Sequence, residues 1–346
     1  MINMGELFAN DRIGDICMEL VPMNEKELST MLVEPGDLLF ARQSLVLSGA
    51  GKCSIVQSAN EPTTFESHII RVRLNRQIAD PAFYYYYFRS PICRIRSIVT
   101  QGVQAGIRAN DLKKLIVHVP DIASQQRIAS ILSAYDDLIE NNRRRIQLLE
   151  EAARLLYREW FIHLRFPGHE HAAINDGVPE GWEKKTLGDV APLNYGKALK
   201  QDDRVSGPFP VYGSSGIVGT HVKALVPGPT IIVGRKGNVG SVYRSSEDCH
   251  PIDTVYYIDS SRCSFHLYYA LQHMSFINTD VAVPGLNRNF AHSRSILIPE
   301  QKIYRLFEDT VAPMHLQIDL LCKENVALTQ ARDLLLPRLM NGEIAV

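Results

Sequence analysis

Two long stretches of this chain place apolar residues at helical spacing, and both hold the same phase. In the first, Ile128, Leu132, Tyr135, Ile139, Asn142, Ile146, Leu149, Ala153, Leu156 and Trp160 alternate steps of four and three. In the second, Met314, Ile318, Leu321, Asn325, Leu328, Arg332, Leu335 and Leu339 do the same. This is the seam of a coiled coil. Asn142 and Asn325 interrupt the two seams, a device that costs stability and fixes register. One constant offset lays one seam on the other: Ile139 on Ile318, Leu149 on Leu328, Leu156 on Leu335. The pattern predicts a long helix over 123–165 and another over 301–346. Two ordinary core helices are the plainer alternative. The reading adopted is one intramolecular antiparallel coiled coil, its antiparallel sense following from a repeat with two-fold pseudo-symmetry. Ser124 is a candidate N-cap for the first helix. Pro313 is expected to kink the second helix, and Pro337 to disturb its last turns.

The repeat extends beyond the helices. Gly106-Ile107-Arg108-Ala109-Asn110 matches Gly285-Leu286-Asn287-Arg288-Asn289, and Pro120 matches Pro299, all at the offset that relates the seams. Upstream the spacing widens: Pro35-Gly36 through Arg42 resembles Pro227-Gly228 through Arg235, and Ala82–Tyr87 resembles Phe265–Ala270. Each match is weak, but their shared order marks two copies of one unit. Residues 1–122 and 181–300 are rich in Gly, Pro and β-branched residues, with short alternating runs such as Ile69–Leu74 and Val255–Ile258. Residues 166–180 read as a linker. The fold class is therefore α+β: two mixed α/β domains separated by two long helices.

Composition narrows the class. The chain has 346 residues, 45% hydrophobic and 22% charged, an ordinary globular balance able to bury a real core. No apolar run reaches the roughly 18 residues of a membrane span, and no signal peptide is legible. Six scattered cysteines without a CxxC read as free thiols of a reducing cytoplasm. Net charge is -1, so global charge does not point to nucleic acid. Local charge says more: residues 89–114 hold six Lys or Arg against Asp111, and 184–244 hold nine against three Asp. Two basic stretches in a neutral chain are either two footprints on a polyanion or solvated surface.

Catalytic chemistry is not legible. Gly49-Ala50-Gly51-Lys52-Cys53 imitates the end of a phosphate loop, but Cys53 stands where a hydroxyl residue belongs. Gly213–Gly219 and Gly234–Gly240 are G-x-x-G-x-x-G, which suits turns between strands as well as base contact. His169 and His171 lack further ligands at metal-site spacing, so no metal is assigned. Pro120-Asp121 with Glu183 and Lys185 makes no nuclease centre, because a long helix separates them. The Tyr84–Tyr87 run invites base stacking, but consecutive helical residues point in all directions, so most of it must be packing.

Two variable basic units alternating with two repeat-related helices resemble the specificity subunit of type I restriction–modification enzymes (the HsdS family). The phrases that carry the resemblance are Pro227-Gly228 through Gly234-Arg235-Lys236-Gly237-Asn238-Val239-Gly240, Pro299-Glu300-Gln301-Lys302-Ile303, and Gln125-Gln126-Arg127-Ile128 leading into Leu148–Phe161. The closing run from Ala331-Arg332-Asp333-Leu334-Leu335-Leu336-Pro337 to Ile344 is especially similar. The resemblance covers nearly the whole chain.

It implies that each unit is a target recognition domain reading one half of a split double-stranded DNA site, with the coiled coil setting the unread gap. It implies that two methyltransferase subunits dock largely on the helices and that motor-endonuclease subunits join that core. Adenine-N6 methylation and DNA cleavage would lie in those partners, which would use S-adenosylmethionine, ATP and Mg; this chain would bind no cofactor and hold no catalytic residue. Given that role, the repeat and the side-chain types nominate Arg42, Gln43, Lys52, Gln101, Gln104, Arg108 and Asn110 as DNA-binding residues in the first domain. In the second they nominate Lys197, Lys200, Ser214, Ser215, Arg235, Lys236, Asn238, Asn287, Arg288 and Asn289. The two units depart from each other at their openings. The second opens at Pro179-Glu180-Gly181-Trp182, a longer stretch before Pro227 than all of the chain ahead of Pro35. The first domain is thus expected to be shortened at its opening. A competing reading follows: a non-reading scaffold or remnant that binds the methyltransferase subunit only.

Overall fold

The computed structural model describes residues 1–276 and 285–346. The chain divides into two compact units, Met1–Asn142 with Glu324–Val346, and Arg143–Lys323. Helix α5 (Ile122–Tyr157) and helix α9 (Gln301–Met340) each contribute to both. None of the predicted seam positions in either helix is exposed.

Within the first unit the two helices run antiparallel. Asp136 meets Arg332 and Asn142 meets Glu324, so one helix advances as the other returns. Leu132 packs in one cluster with Leu336 and Leu339. The second unit repeats the sense: Glu150 faces Cys322, and Tyr157 lies 6.0 Å from Phe307.

The helix ends differ from expectation. Asp121, not Ser124, caps α5: its carboxylate accepts from the Ser124 backbone N–H at 2.9 Å and the Ser124 hydroxyl at 2.6 Å. A charged acceptor one turn earlier meets the free N–H groups and the positive end of the helix dipole. A π-helical turn, Arg158–Ile162, follows α5. Helix α9 runs unbroken through Pro313 and Pro337. Each proline removes one backbone donor, while buried neighbours (Val311 and Ile318, then Leu336 and Leu339) keep the helix seated.

The first unit begins with α1 (Met4–Ala9), β1 (Arg12–Ile13) and α2 (Glu25–Thr30). Reciprocal capping boxes, Asn3 with Glu6 and Asn24 with Glu27, start both helices. Strands β2 (Leu38–Ala41), β4 (Cys53–Val56) and β5 (Ile69–Val72) join β1 in a sheet ordered β1-β4-β2-β5. A smaller sheet, β3-β7-β6, is made from β3 (Gln43–Ser44), β6 (Thr100–Gln101) and β7 (Ala105–Gly106). Between them lies α3 (Pro81–Arg89), started by Asp80 and by a proline in its first turn. Phe83–Tyr87 are all buried, so the tyrosine run is core. Helix α4 (Ala109–Lys113) precedes α5.

In the second unit the expected linker is folded. Phe166 is buried, and β8 (Ile174–Asn175) and β9 (Val178–Pro179) form a hairpin around Asp176-Gly177, both left-handed. Trp182 closes on Phe166 at 4.7 Å and on Phe161 at 5.7 Å. Strand β10 (Glu183–Thr186), α6 (Leu187–Val190) and β11 (Asn194–Tyr195) come next. Strands β12 (Phe209–Gly213), β13 (Gly216–His221) and β16 (His250–Pro251) form a sheet ordered β13-β12-β16. Strands β14 (Thr230–Gly234), β15 (Val242–Ser245) and β17 (Val255–Ile258) complete the order β11-β17-β14-β15. Helices α7 (Phe265–His273) and α8 (Arg288–His292) precede β18 (Ser295–Ile298), which pairs with β10.

Strand register exposes the repeat. In the first unit β2 pairs Leu38 with Val72 and Phe40 with Ile70; in the second β14 pairs Ile231 with Ile258 and Val233 with Tyr256. Both central strands pair antiparallel on their other side, with β4 and β15. A buried polar contact also recurs with altered chemistry. Tyr86 on α3 donates to Asp136 at 2.7 Å, and Asp136 is paired with Arg332 at 2.5 Å. In the second unit Tyr269 on α7 is 2.8 Å from Nε2 of His315. His315 is the repeat equivalent of Asp136, at the same offset that lays Ile139 on Ile318.

Candidate nucleic-acid interface

Four short segments of the second unit converge around the end of β14. The loop from Arg235 to Gly240 folds back on the strand, with Gly234 N–H donating to Ser241 O at 2.7 Å and Gly240 N–H to Gly234 O at 2.9 Å. A Cβ at Gly234 would collide with the Asn238 carbonyl, so only glycine permits this closure. The Ser214-Ser215 hairpin turn is tied to the loop by the Ser241 hydroxyl, which donates to Ser214 O at 2.6 Å. The Leu286 N–H donates to Arg235 O at 2.8 Å, and Lys236 bridges Gly285. That bond brings Asn287, Arg288 and Asn289 beside Arg235 and Lys236. The Asn287 side chain is partly committed, accepting from the Asn289 and Phe290 N–H groups to start α8.

The fourth segment is β11. Tyr195 is 51% exposed, and its ring lies 5.1 Å from the Arg235 guanidinium and 5.2 Å from that of Arg288. Tyr256 braces it from within the sheet at 5.1 Å, edge-on, and its hydroxyl donates to Leu286 O at 2.9 Å. Burial, then Tyr195, raise the Tyr256 pKa against the pull of Arg235, so this hydroxyl stays a donor. Lys197 follows, exposed, two residues beyond Tyr195. Gly196 between them passes so close to Ile252 that a Cβ would collide with its carbonyl. Lys200 lies apart, opening the turn Gln201–Asp203.

The first unit has the same latch. Ile107 N–H donates to Arg42 O at 2.9 Å, as Leu286 does to Arg235. Gln43 pairs with Gly106 on β7, and Gln101 lies on β6 beside it, with Gln104 in the connecting turn. Arg108 and Asn110 begin α4. Arg42, Gln101, Gln104, Arg108 and Asn110 are exposed and Gln43 half-buried, all on one small sheet and the turn after it.

Lys52 departs from this set. Its ammonium donates to Leu7 O at 3.0 Å and Phe8 O at 2.7 Å and pairs with Asp11 at 3.1 Å. It caps α1 internally, which explains why the phosphate-loop imitation comes to nothing. Arg89 pairs with Asp11 as well, at 2.8 Å. Burial works to raise the Asp11 pKa, yet hydrogen bonds and charge from Arg89 and Lys52 bring it down to about 2.

Sequence reasoning missed Tyr195. Its signal was the aromatic between polar residues in Asn194-Tyr195-Gly196-Lys197, legible only once Arg235 and Arg288 fall beside it. Among the described residues, no group of three or more His, Cys, Asp or Glu could hold a metal ion. No described helix is long and apolar enough to cross a membrane.

The sequence matches the model of the type I restriction modification DNA specificity domain twice, over residues 4–151 and 179–310. It is 23% identical to the type I restriction enzyme MjaIX specificity subunit of Methanocaldococcus jannaschii, over 94% of this chain and 83% of that one. It is 24% identical to the type I restriction enzyme HindI specificity subunit of Haemophilus influenzae, over 90% and 87%. The crystal structure of a type I restriction–modification S subunit from M. genitalium superposes with a TM-score of 0.59 at 19% identity, over 95% of this chain and 88% of the other, a likeness of fold.

Proposed function

This chain belongs to the type I restriction–modification DNA specificity family, and from that premise we propose that each of its two units reads one half of a split duplex DNA site. It is a specificity subunit, the non-catalytic recognition component of such a system, with two recognition domains in tandem. The single observation that supports the finer reading is the repeated latch, Ile107 to Arg42 and Leu286 to Arg235. Each latch gathers Arg, Gln, Asn or Lys side chains on one exposed patch. Arginine and lysine neutralise phosphates and give salt-dependent affinity. Bidentate Arg to guanine and Asn or Gln to adenine give sequence choice in the major groove.

The remaining roles follow from the family. Two methyltransferase subunits dock on this chain, largely through α5 and α9, and motor-endonuclease subunits join them in the cytoplasm. Those partners use S-adenosylmethionine, ATP and Mg for adenine-N6 methylation and cleavage. Within this chain, Arg42, Gln43, Gln101, Gln104, Arg108 and Asn110 face one half-site. Lys197, Lys200, Ser214, Ser215, Arg235, Lys236, Asn238, Asn287, Arg288 and Asn289 face the other.

The test is co-expression with the methyltransferase subunit of its own system and mapping of N6-methyladenine across host DNA. A single split motif with modified adenines in both halves is expected. A motif confined to one half would leave the first unit without a reading role. A co-purifying complex that methylates nothing would overturn the proposal in favour of a scaffold.

A further inference from the structure

We infer that Tyr195 is the positioning residue of the second unit's recognition surface, holding Arg235 and Arg288 so that their guanidiniums address guanine edges in one half-site. This rests on the DNA-reading role above. Arginine is a long, flexible side chain, and a free one loses conformational entropy whenever it docks. A guanidinium laid against an aromatic ring keeps its planar fork of donors while losing that freedom beforehand. Tyr195 does this for two arginines that reach it from different segments, at 5.1 and 5.2 Å.

The ring is built in. Its backbone is fixed by pairing of β11 with β17, Tyr195 opposite Tyr256. Its inner edge rests on Tyr256, and the following residue is forced to be glycine by the Ile252 carbonyl. Arg235 has two further anchors, its Nη1 donating to Asp253 O at 3.1 Å and its guanidinium lying 5.7 Å from the Tyr256 ring. Arg288 is exposed, and among the described residues its side chain has Tyr195 alone as a ring contact. A guanidinium fork held over a ring suits the O6 and N7 acceptors of guanine, where a point charge would suit phosphate.

The first unit lacks the device. Its counterpart of β17, strand β5, ends the sheet, and Arg42 has only a 3.5 Å contact to Ser67 O. The first unit is therefore an internal control. In the full complex with the methyltransferase subunit, Tyr195→Leu is expected to relax guanine discrimination in one half of the methylated motif by roughly tenfold. The other half should be unchanged, and Tyr195→Phe should behave as wild type. Should the Leu variant fail to fold, Arg288→Lys keeps the charge and loses the fork, and is expected to relax the same positions with affinity for unrelated DNA retained. Unchanged discrimination in both Tyr195→Leu and Arg288→Lys would overturn the inference. So would a uniform loss of affinity for all sequences, which would make the arginines phosphate contacts. A wild-type complex that selects no sequence would instead defeat the DNA-reading role itself, a different outcome.

Discussion

In the first unit the strand added to the three shared ones is β1, which pairs parallel with β4; in the second it is β11, which pairs antiparallel with β17. The two four-stranded sheets are thus completed at opposite edges of a common core. In the second unit one segment, β10–α6–β11, serves two places: β10 covers β18 and β11 covers β17. In the first unit, residues 115–119, which match β18 in sequence, form no strand, and Ile116 is 91% exposed. The lesson is that the repeat is carried by the central strands and the latch, while the sheet edges are free to differ. No strand covers β5 as β11 covers β17, so the first unit has no position equivalent to Tyr195.

The tyrosine contacts sharpen the contrast. The largest effect is expected from Arg332→Ala in the first unit. It would leave Asp136 buried with the Tyr86 hydroxyl but without its ion pair, at a cost of about 3 kcal/mol measured by chemical denaturation. A loss below about 1 kcal/mol would mean that solvent reaches this pair freely.

Acid separates the units next. Burial, with Arg244 adding to it, lowers the His315 pKa to about 4, and burial lowers His266 to about 4. Both stay neutral when folded but take a proton when unfolded, so their contribution is present above pH 6.5 and is lost as pH falls towards 4. Both tryptophans, Trp160 and Trp182, lie in the second unit, so their fluorescence reports its unfolding. The fluorescence midpoint is expected to fall between pH 6.5 and 4, and the slope to lessen in His315→Gln, which keeps an acceptor for Tyr269. A flat profile in wild type would refute the assignment. Asp11 in the first unit works in a lower window. Its depressed pKa, about 2 against 3.8 unfolded, supplies stability above pH 4 that is lost between 4 and 2. Asp11→Asn should remove that part of the acid transition.

The smallest effect concerns the edge strand peculiar to the first unit. Arg12 on β1 pairs with Asp137 on α5 at 2.6 Å, with the carboxylate largely in water. Asp137→Ala is expected to cost under about 1 kcal/mol, and a larger loss would give β1 more weight in holding the sheet than its length suggests.

The helices were legible because packing along a seam imposes a period, and every seam position is withdrawn from solvent. The double unit was legible because Pro35-Gly36 and Pro227-Gly228 mark the same turn before the same central strand. Lys52 was misleading: a lysine after glycine suggests an anion, yet its ammonium closes α1. The prolines of α9 misled for a related reason, since local propensity is outweighed when buried neighbours on both sides hold a helix. Tyr195 was invisible because its significance comes from Arg235 and Arg288, which lie in separate, later segments of the chain. Which edge a strand joins is likewise a long-range matter that alternation of apolar residues does not encode.

The latch has an evolutionary consequence. Ile107 to Arg42 and Leu286 to Arg235 are joined main chain to main chain, so neither bond depends on which side chains flank it. Mutation can replace the arginine or the glutamine without removing that bond, whereas Asn287 also caps α8 through its side chain. On the proposed reading, such a lineage acquires a new preference by point substitution and keeps its frame, as type can be reset in a forme that stays locked.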